Sequence, residues 1–157
     1  MSWRLALTLL LVHGCSAPMP SIPDAGGCVE SFIAGTTDTP DAGFGAFIEG
    51  QDVEVHAGPQ GGFHVFVGVE TSGLARTGKL RWSLHSVAGV ELATRTLDVS
   101  TLLLDDVPCG WARRRDVLIF GRTDEVPQYR GVPAQLGLTL DVTGAAPRTW
   151  STRVVPR

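Results

Sequence analysis

Alternation between apolar and polar positions is the strongest signal in this chain. From Phe63 to Glu70 it puts Phe63, Val65, Val67 and Val69 on one face of an extended segment. Leu80, Trp82 and Leu84 alternate with Arg81, Ser83 and His85. Leu136, Leu138, Leu140 and Val142 alternate with Gln135, Gly137, Thr139 and Asp141, the pattern of a strand with one dry and one wet face. Val117 to Phe120 is a short apolar run suited to a more buried strand, and the stretches 44–49, 53–56, 91–99 and 149–155 are weaker strand candidates. Turn signals separate them: Gly58, Pro59, Gln60, Gly61 and Gly62; Thr71, Ser72 and Gly73; Ala88 and Gly89; Gly144. No stretch sustains a 3.6-residue period between helix caps. About seven to nine short strands of this kind predict an all-β domain, an antiparallel β-sandwich in which each strand buries one face against the opposite sheet. An immunoglobulin-like Greek key is the leading topology; a jelly roll, a small barrel and a transthyretin-like sandwich are the alternatives.

The N-terminus follows a different pattern. Arg4 precedes an apolar run from Leu5 to Val12 that is broken only by Thr8. His13, Gly14 and Cys15 follow. A charged start, a short apolar core and small residues at a cleavage point describe a secretory signal peptide. The core is about half of the ~20 residues that span a bilayer. Val12, His13, Gly14 and Cys15 resemble the lipobox of bacterial lipoproteins, although His13 departs from the small residue usual at its position. The resemblance implies removal of residues 1–14, lipidation of Cys15, and anchoring of an exported protein in the cell envelope. Ser16 after the cysteine points to the outer membrane. The competing expectation is cleavage after Ala17 and release to the periplasm or medium, with Pro18 as an obstacle to that cut. Residues 15–27 then form the lipidated cysteine and a Pro-, Gly- and Ser-rich tether, and residues 28–157 a single domain.

Composition narrows the partners. The whole chain carries a net charge of −3, and loss of Arg4 with the signal makes it one unit more negative. That argues against nucleic acid as a partner and against electrostatic docking on anionic lipid. The chain has three cysteines. If Cys15 carries lipid, Cys28 and Cys109 remain as an even pair, expected to form one disulfide in an oxidising compartment. Trp82 and Trp150 fall at alternating positions and are expected in the core, and Trp111 is expected to pack near the disulfide.

Candidate chemistry is sparse. His56 and His64 flank the glycine-rich turn, and hairpin geometry would set them opposite each other. This segment resembles a block found in uncharacterised lipoproteins of high-GC bacteria, which implies no activity. Two imidazoles make a weak metal or ligand site unless a third group such as His85 joins them, and a solvated loop is the plainer reading. Asp38 with Asp41, Asp105 with Asp106, and Asp124 with Glu125 are acidic pairs without the ordered ligands of a calcium loop. Arg113, Arg114 and Arg115 offer a site for phosphate or an anionic surface polysaccharide, but the plainer reading is a solvated loop ahead of the strand at Val117, its charges guarding that strand from edge pairing. There is no GxSxG, SxxK or phosphate-loop motif. No cofactor is expected. The sequence therefore predicts a membrane-anchored, non-enzymatic envelope module that binds a protein or a surface polysaccharide. A small-ligand or metal-binding module built on the His56–His64 loop is the alternative, and a small hydrolase is a third, weaker one.

Overall fold

A computed structural model describes residues 27–37 and 43–157. Cys15, the segments on either side of it, and Asp38 and Asp41 lie outside the described residues. The chain forms β1 (Ser31–Thr36), β2 (Gly45–Ala46), β3 (Gln51–Val53), β4 (His56–Ala57), β5 (Phe63–Ser72), β6 (Gly78–Ser86), β7 (Glu91–Asp98), β8 (Asp105–Val107), β9 (Gly110–Ile119), β10 (Ala134–Val142) and β11 (Arg148–Pro156). A 3-10 turn at Val99–Thr101 and a single helical turn, α1 (Val126–Tyr129), are the helical elements among the described residues.

The strands make two sheets packed face to face, an all-β sandwich. The first runs β2-β1-β5-β9-β8, with β4 added to β5 at the end that β1 leaves free. The second runs β3-β11-β10-β6-β7; its pairings are antiparallel except β3 with β11. The alternation in the sequence explains the layer between them. Val65, Val67 and Val69 of β5 point inward, and so do Leu80, Trp82 and Leu84 of β6 and Leu136, Leu138 and Leu140 of β10. Each fully buried Leu or Val contributes about 1.5–3 kcal/mol, so these three strands carry much of the stability. Trp150 is half-buried against Phe47.

Both flanks of the sandwich are closed. On one, residues 45–57 weave from β2 in the first sheet to β3 in the second and back to β4. Backbone bonds fasten this segment at Phe47 N to Ala34 O (3.0 Å), Gly50 N to Arg153 O (2.8 Å) and Val55 N to Arg157 O (2.8 Å). On the other flank, Ala93 of β7 bridges to Phe120 just past β9. Beside that bridge, Arg95 donates through Nη1 to Val117 O at 2.8 Å and lies 3.3 Å from Oδ1 of Asp116.

Cys28 and Cys109 are bonded, with Cα atoms 5.7 Å apart. The bond ties the chain just before β1 to the turn between β8 and β9. It therefore lies at one end of the first sheet and does not cross the core. Pro108 and Cys109 make that turn, with Cys109 at φ 63°, as a Pro-then-positive-φ turn requires. Trp111 is fully buried, and its Nε1 donates to the carbonyls of Leu74 (3.1 Å) and Ala75 (3.2 Å).

Arg113, Arg114 and Arg115 do not form a loop ahead of a strand, because β9 begins at Gly110 and runs through them. The pairing of β9 with β5 shifts between Val67 and Val69: Val67 faces Asp116, Val69 faces Arg113, and Gly68 alone stands opposite Arg114 and Arg115. This β-bulge inserts an extra residue and so breaks the strict alternation by which a strand is recognised in sequence.

Candidate binding face

The site begins with a turn. Gly58 N donates to Gly62 O (2.6 Å) and Gly61 N to Gly58 O (3.0 Å), and Gly61 takes φ 83°, a conformation that favours glycine. The turn reverses the chain so that β4 pairs antiparallel with the start of β5, setting His56 opposite His64. Because Val65 points into the core, His64 points out. On its other side His64 pairs with Ile119 of β9, and Phe66 pairs with Val117. One end of the outer face of the first sheet therefore carries His56, His64 and Ile119 in one row and Phe66 and Val117 in the next.

The rings form a cluster. The imidazoles of His56 and His64 stack with centroids 5.7 Å apart, and Phe66 lies 4.7 Å from the first and 4.9 Å from the second. The guanidinium of Arg115 sits 4.0 Å above the Phe66 ring, within cation–π range. His56 Nδ1 is 3.8 Å from a carboxylate oxygen of Glu54, and its Nε2 is buried without a hydrogen-bond partner. Burial holds the pKa of His64 below its ordinary value of 6.5, with the charges of His56 and Arg115 acting in the same direction. Next to the cluster lies an open groove of about 420 Å³, lined by the glycine-rich turn, Phe63, His64, Val117 and Ile119. Ile119 is 53% exposed.

The other sequence candidates separate from this cluster. His85 does not join it: it lies on the outer face of the second sheet, across the core, with Nε2 3.9 Å from Glu91. Among the described residues no group of three or more His, Cys, Asp or Glu side chains is arranged to hold a metal ion. Asp105 and Asp106 sit on β8, where successive side chains point to opposite faces; Asp106 pairs with Arg76. Asp124 and Glu125 both face Arg122, at 3.9 and 2.9 Å.

The three arginines have three different settings. Arg113 donates to Leu103 O (3.2 Å), Arg114 pairs with Glu70 (2.9 Å), and Arg115 covers Phe66. Phe66 is the part of the cluster that sequence reasoning missed, and Arg115 was expected in a loop rather than beside the histidines. Phe66 reads as one more apolar residue in a strand already full of them, and the bulge hides the outward turn of Arg115. Asp116 was missed as well. It is almost fully buried, accepts from its neighbour's backbone at Val117 N (2.8 Å), and faces Arg95.

No family model, curated protein or solved structure matches this chain.

Proposed function

We propose that this chain is an exported lipoprotein of the cell envelope, anchored through Cys15, whose sandwich is a non-enzymatic binding module for an envelope component. The observation that carries the binding part is the ring cluster with its groove. It gathers two imidazoles, an aromatic ring, a guanidinium and an exposed isoleucine on one sheet face. The signal-like N-terminus and the Cys28–Cys109 bond support export, since such bonds persist in oxidising compartments. Localisation to the outer membrane rests on Ser16.

The order β1-β5-β9-β8 opposite β11-β10-β6-β7 supports an immunoglobulin-like reading of the sandwich. If β1, β5, β6, β7, β8, β9, β10 and β11 are taken as strands A, B, C, C′, D, E, F and G, the sheets read ABED and GFCC′.

The anchor is tested by expressing the full chain in a bacterial host with labelled palmitate. The wild type is expected to carry label and sediment with membranes, and Cys15→Ser to lose both. Equal labelling and sedimentation of the two proteins would reject the anchor.

A second reading is favoured by the unpartnered Nε2 of His56 beside the stacked imidazole of His64. In it, the pair holds a small ligand or a metal ion completed by outside ligands. It predicts a rise in melting temperature with zinc that His64→Gln abolishes.

A further inference from the structure

The charges on the described surface are mostly spent on one another. Arg76, Arg81, Arg95, Arg114, Arg122, Arg148, Arg153 and Arg157 each face a carboxylate within 4 Å. Arg113 and Arg130 instead donate to backbone carbonyls, of Leu103 and Val55. Among the described residues Arg115 is the one arginine with neither kind of partner. Its guanidinium is held over Phe66, so its donors remain free while its position is fixed. The same ring touches His64, and His56 stacks on His64. Of the acids around this group, Glu54 faces His56, Glu70 is taken by Arg114 and Asp116 by Arg95. In a protein of net charge −3, this leaves a guanidinium without a carboxylate partner beside an apolar groove.

We propose that this face binds a carboxylate-bearing sugar polymer, with Arg115 and His64 receiving a carboxylate and Pro59, Val117 and Ile119 lying beneath a sugar ring. This deepens the binding-module reading and rests on it.

Three observations favour this ligand. A pyranose ring has an apolar C–H face and a polar rim, matching an apolar floor with cations along one side. The groove's volume of about 420 Å³ falls within the roughly 300–1,000 Å³ of small-ligand sites, and it is open, so a chain can continue beyond it. A peptide adding as an extra strand is disfavoured, because at His64 both edges of β5 are paired and the strand outside it, β4, offers only two residues to pair with. The guanidinium can meet a carboxylate through two parallel N–H donors, the stronger form of such contacts. Protonated His64 adds a third donor, so binding takes up a proton. Glu54 and His56 from the β4 side, Arg115 from β9, and Phe66 on its own strand set the balance of that uptake.

The test is calorimetric titration of the full-length protein in detergent with polygalacturonate, using dextran as the neutral polymer, at pH 5.5 and pH 7.5. Tight binding of polygalacturonate but not dextran is expected. Arg115→Gln should weaken it about tenfold or more, since a hydrogen bond to a charged group is worth about 1.5–3 kcal/mol. His64→Gln should flatten the pH dependence, which in the wild type should favour pH 5.5 by a factor on the order of ten. Arg81→Gln, on the opposite outer face, should bind like the wild type. Absence of binding at pH 5.5, equal binding of dextran, or unchanged affinity in Arg115→Gln would each overturn the proposal. Palmitate labelling of the same preparation reads the anchor separately, so loss of this ligand and loss of the lipoprotein reading are distinguishable.

Discussion

Glu49 shows how much one exposed side chain can be controlled by its surroundings. It lies in the turn between β2 and β3, and its carboxylate accepts from Arg153 N (3.0 Å), from the Arg153 guanidinium and from the Thr152 hydroxyl (2.8 Å). These bonds, led by the backbone N–H, hold its pKa at about 2 against an ordinary 4.5. The folded state therefore binds this proton more weakly than the unfolded state does. The stability it contributes is complete above pH 4.5 and is lost as pH falls toward 2. Melting curves from pH 6 to pH 2 should show wild type and Glu49→Gln converging as the pH drops; a constant gap would mean that the carboxylate is not held this way. His64 has the opposite chemistry and the same sign. Its lowered pKa makes the neutral ring the folded form, so its contribution is full above 6.5 and declines as pH falls through the lowered value. Gly68 acts through space instead. A Cβ there would lie 2.4 Å from the carbonyl oxygen of Arg114, a backbone atom that cannot swing aside. Gly68→Ala should cost about 1–3 kcal/mol and disturb the bulge that turns Arg115 outward. Urea denaturation together with polygalacturonate titration would register both effects, and an unchanged midpoint would contradict the close approach.

At the scale of strands, legibility followed burial. β5, β6 and β10 could be read from the chain because each has one buried face, and burial forces a two-residue period on the sequence. The disulfide could be read from cysteine number. The opposition of His56 and His64 could be read from a glycine-rich turn of the right length. What escaped was everything set by a departure from regularity. The first half of β9 looked like a loop because its bulge puts Arg114 and Arg115 in sequence where alternation allows one outward residue. The short strands β2, β3 and β4 showed only as the weak candidates 44–49 and 53–56, with blurred bounds, because they are fixed by backbone bonds to distant partners, which leave little periodic trace. His85 sits on an alternating strand like its candidates' own, and nothing in spacing tells which of two sheets a strand joins. The flank at β7 and β9 makes a prediction of its own. Asp116 has 2% of its side chain exposed and faces Arg95. Arg95→Ala strands a buried carboxylate, with an expected cost of roughly 3–5 kcal/mol. Removing both partners should recover part of that loss. A double-mutant cycle in urea measures the coupling, and additive losses would mean that the pair does not hold the flank.

For the whole molecule, the Cys28–Cys109 bond closes a loop across 81 positions of sequence. In the chain-entropy account such a loop gives about 4–5 kcal/mol, and loss of a native disulfide from a small exported domain typically costs 2–5 kcal/mol. The Cys28→Ser, Cys109→Ser double variant should unfold at correspondingly lower urea. The bond sits at the N-terminal end of the domain, next to the segment that leads back to Cys15, so in the lipoprotein reading it stiffens the place where a tether joins the sandwich. The binding face lies near the opposite end of β5, where His64 is the second residue of the strand that reaches Ser72 beside Cys109 and Gly73. An anchored domain of this build would hold its groove away from the tether's attachment and toward the polymers of the envelope. The most direct test of that account is the intact mass of the full-length protein recovered from a bacterial host. The account predicts a chain that begins at Cys15, carries added acyl mass and lacks two hydrogens for the Cys28–Cys109 bond. An unacylated chain beginning at any other residue would contradict it.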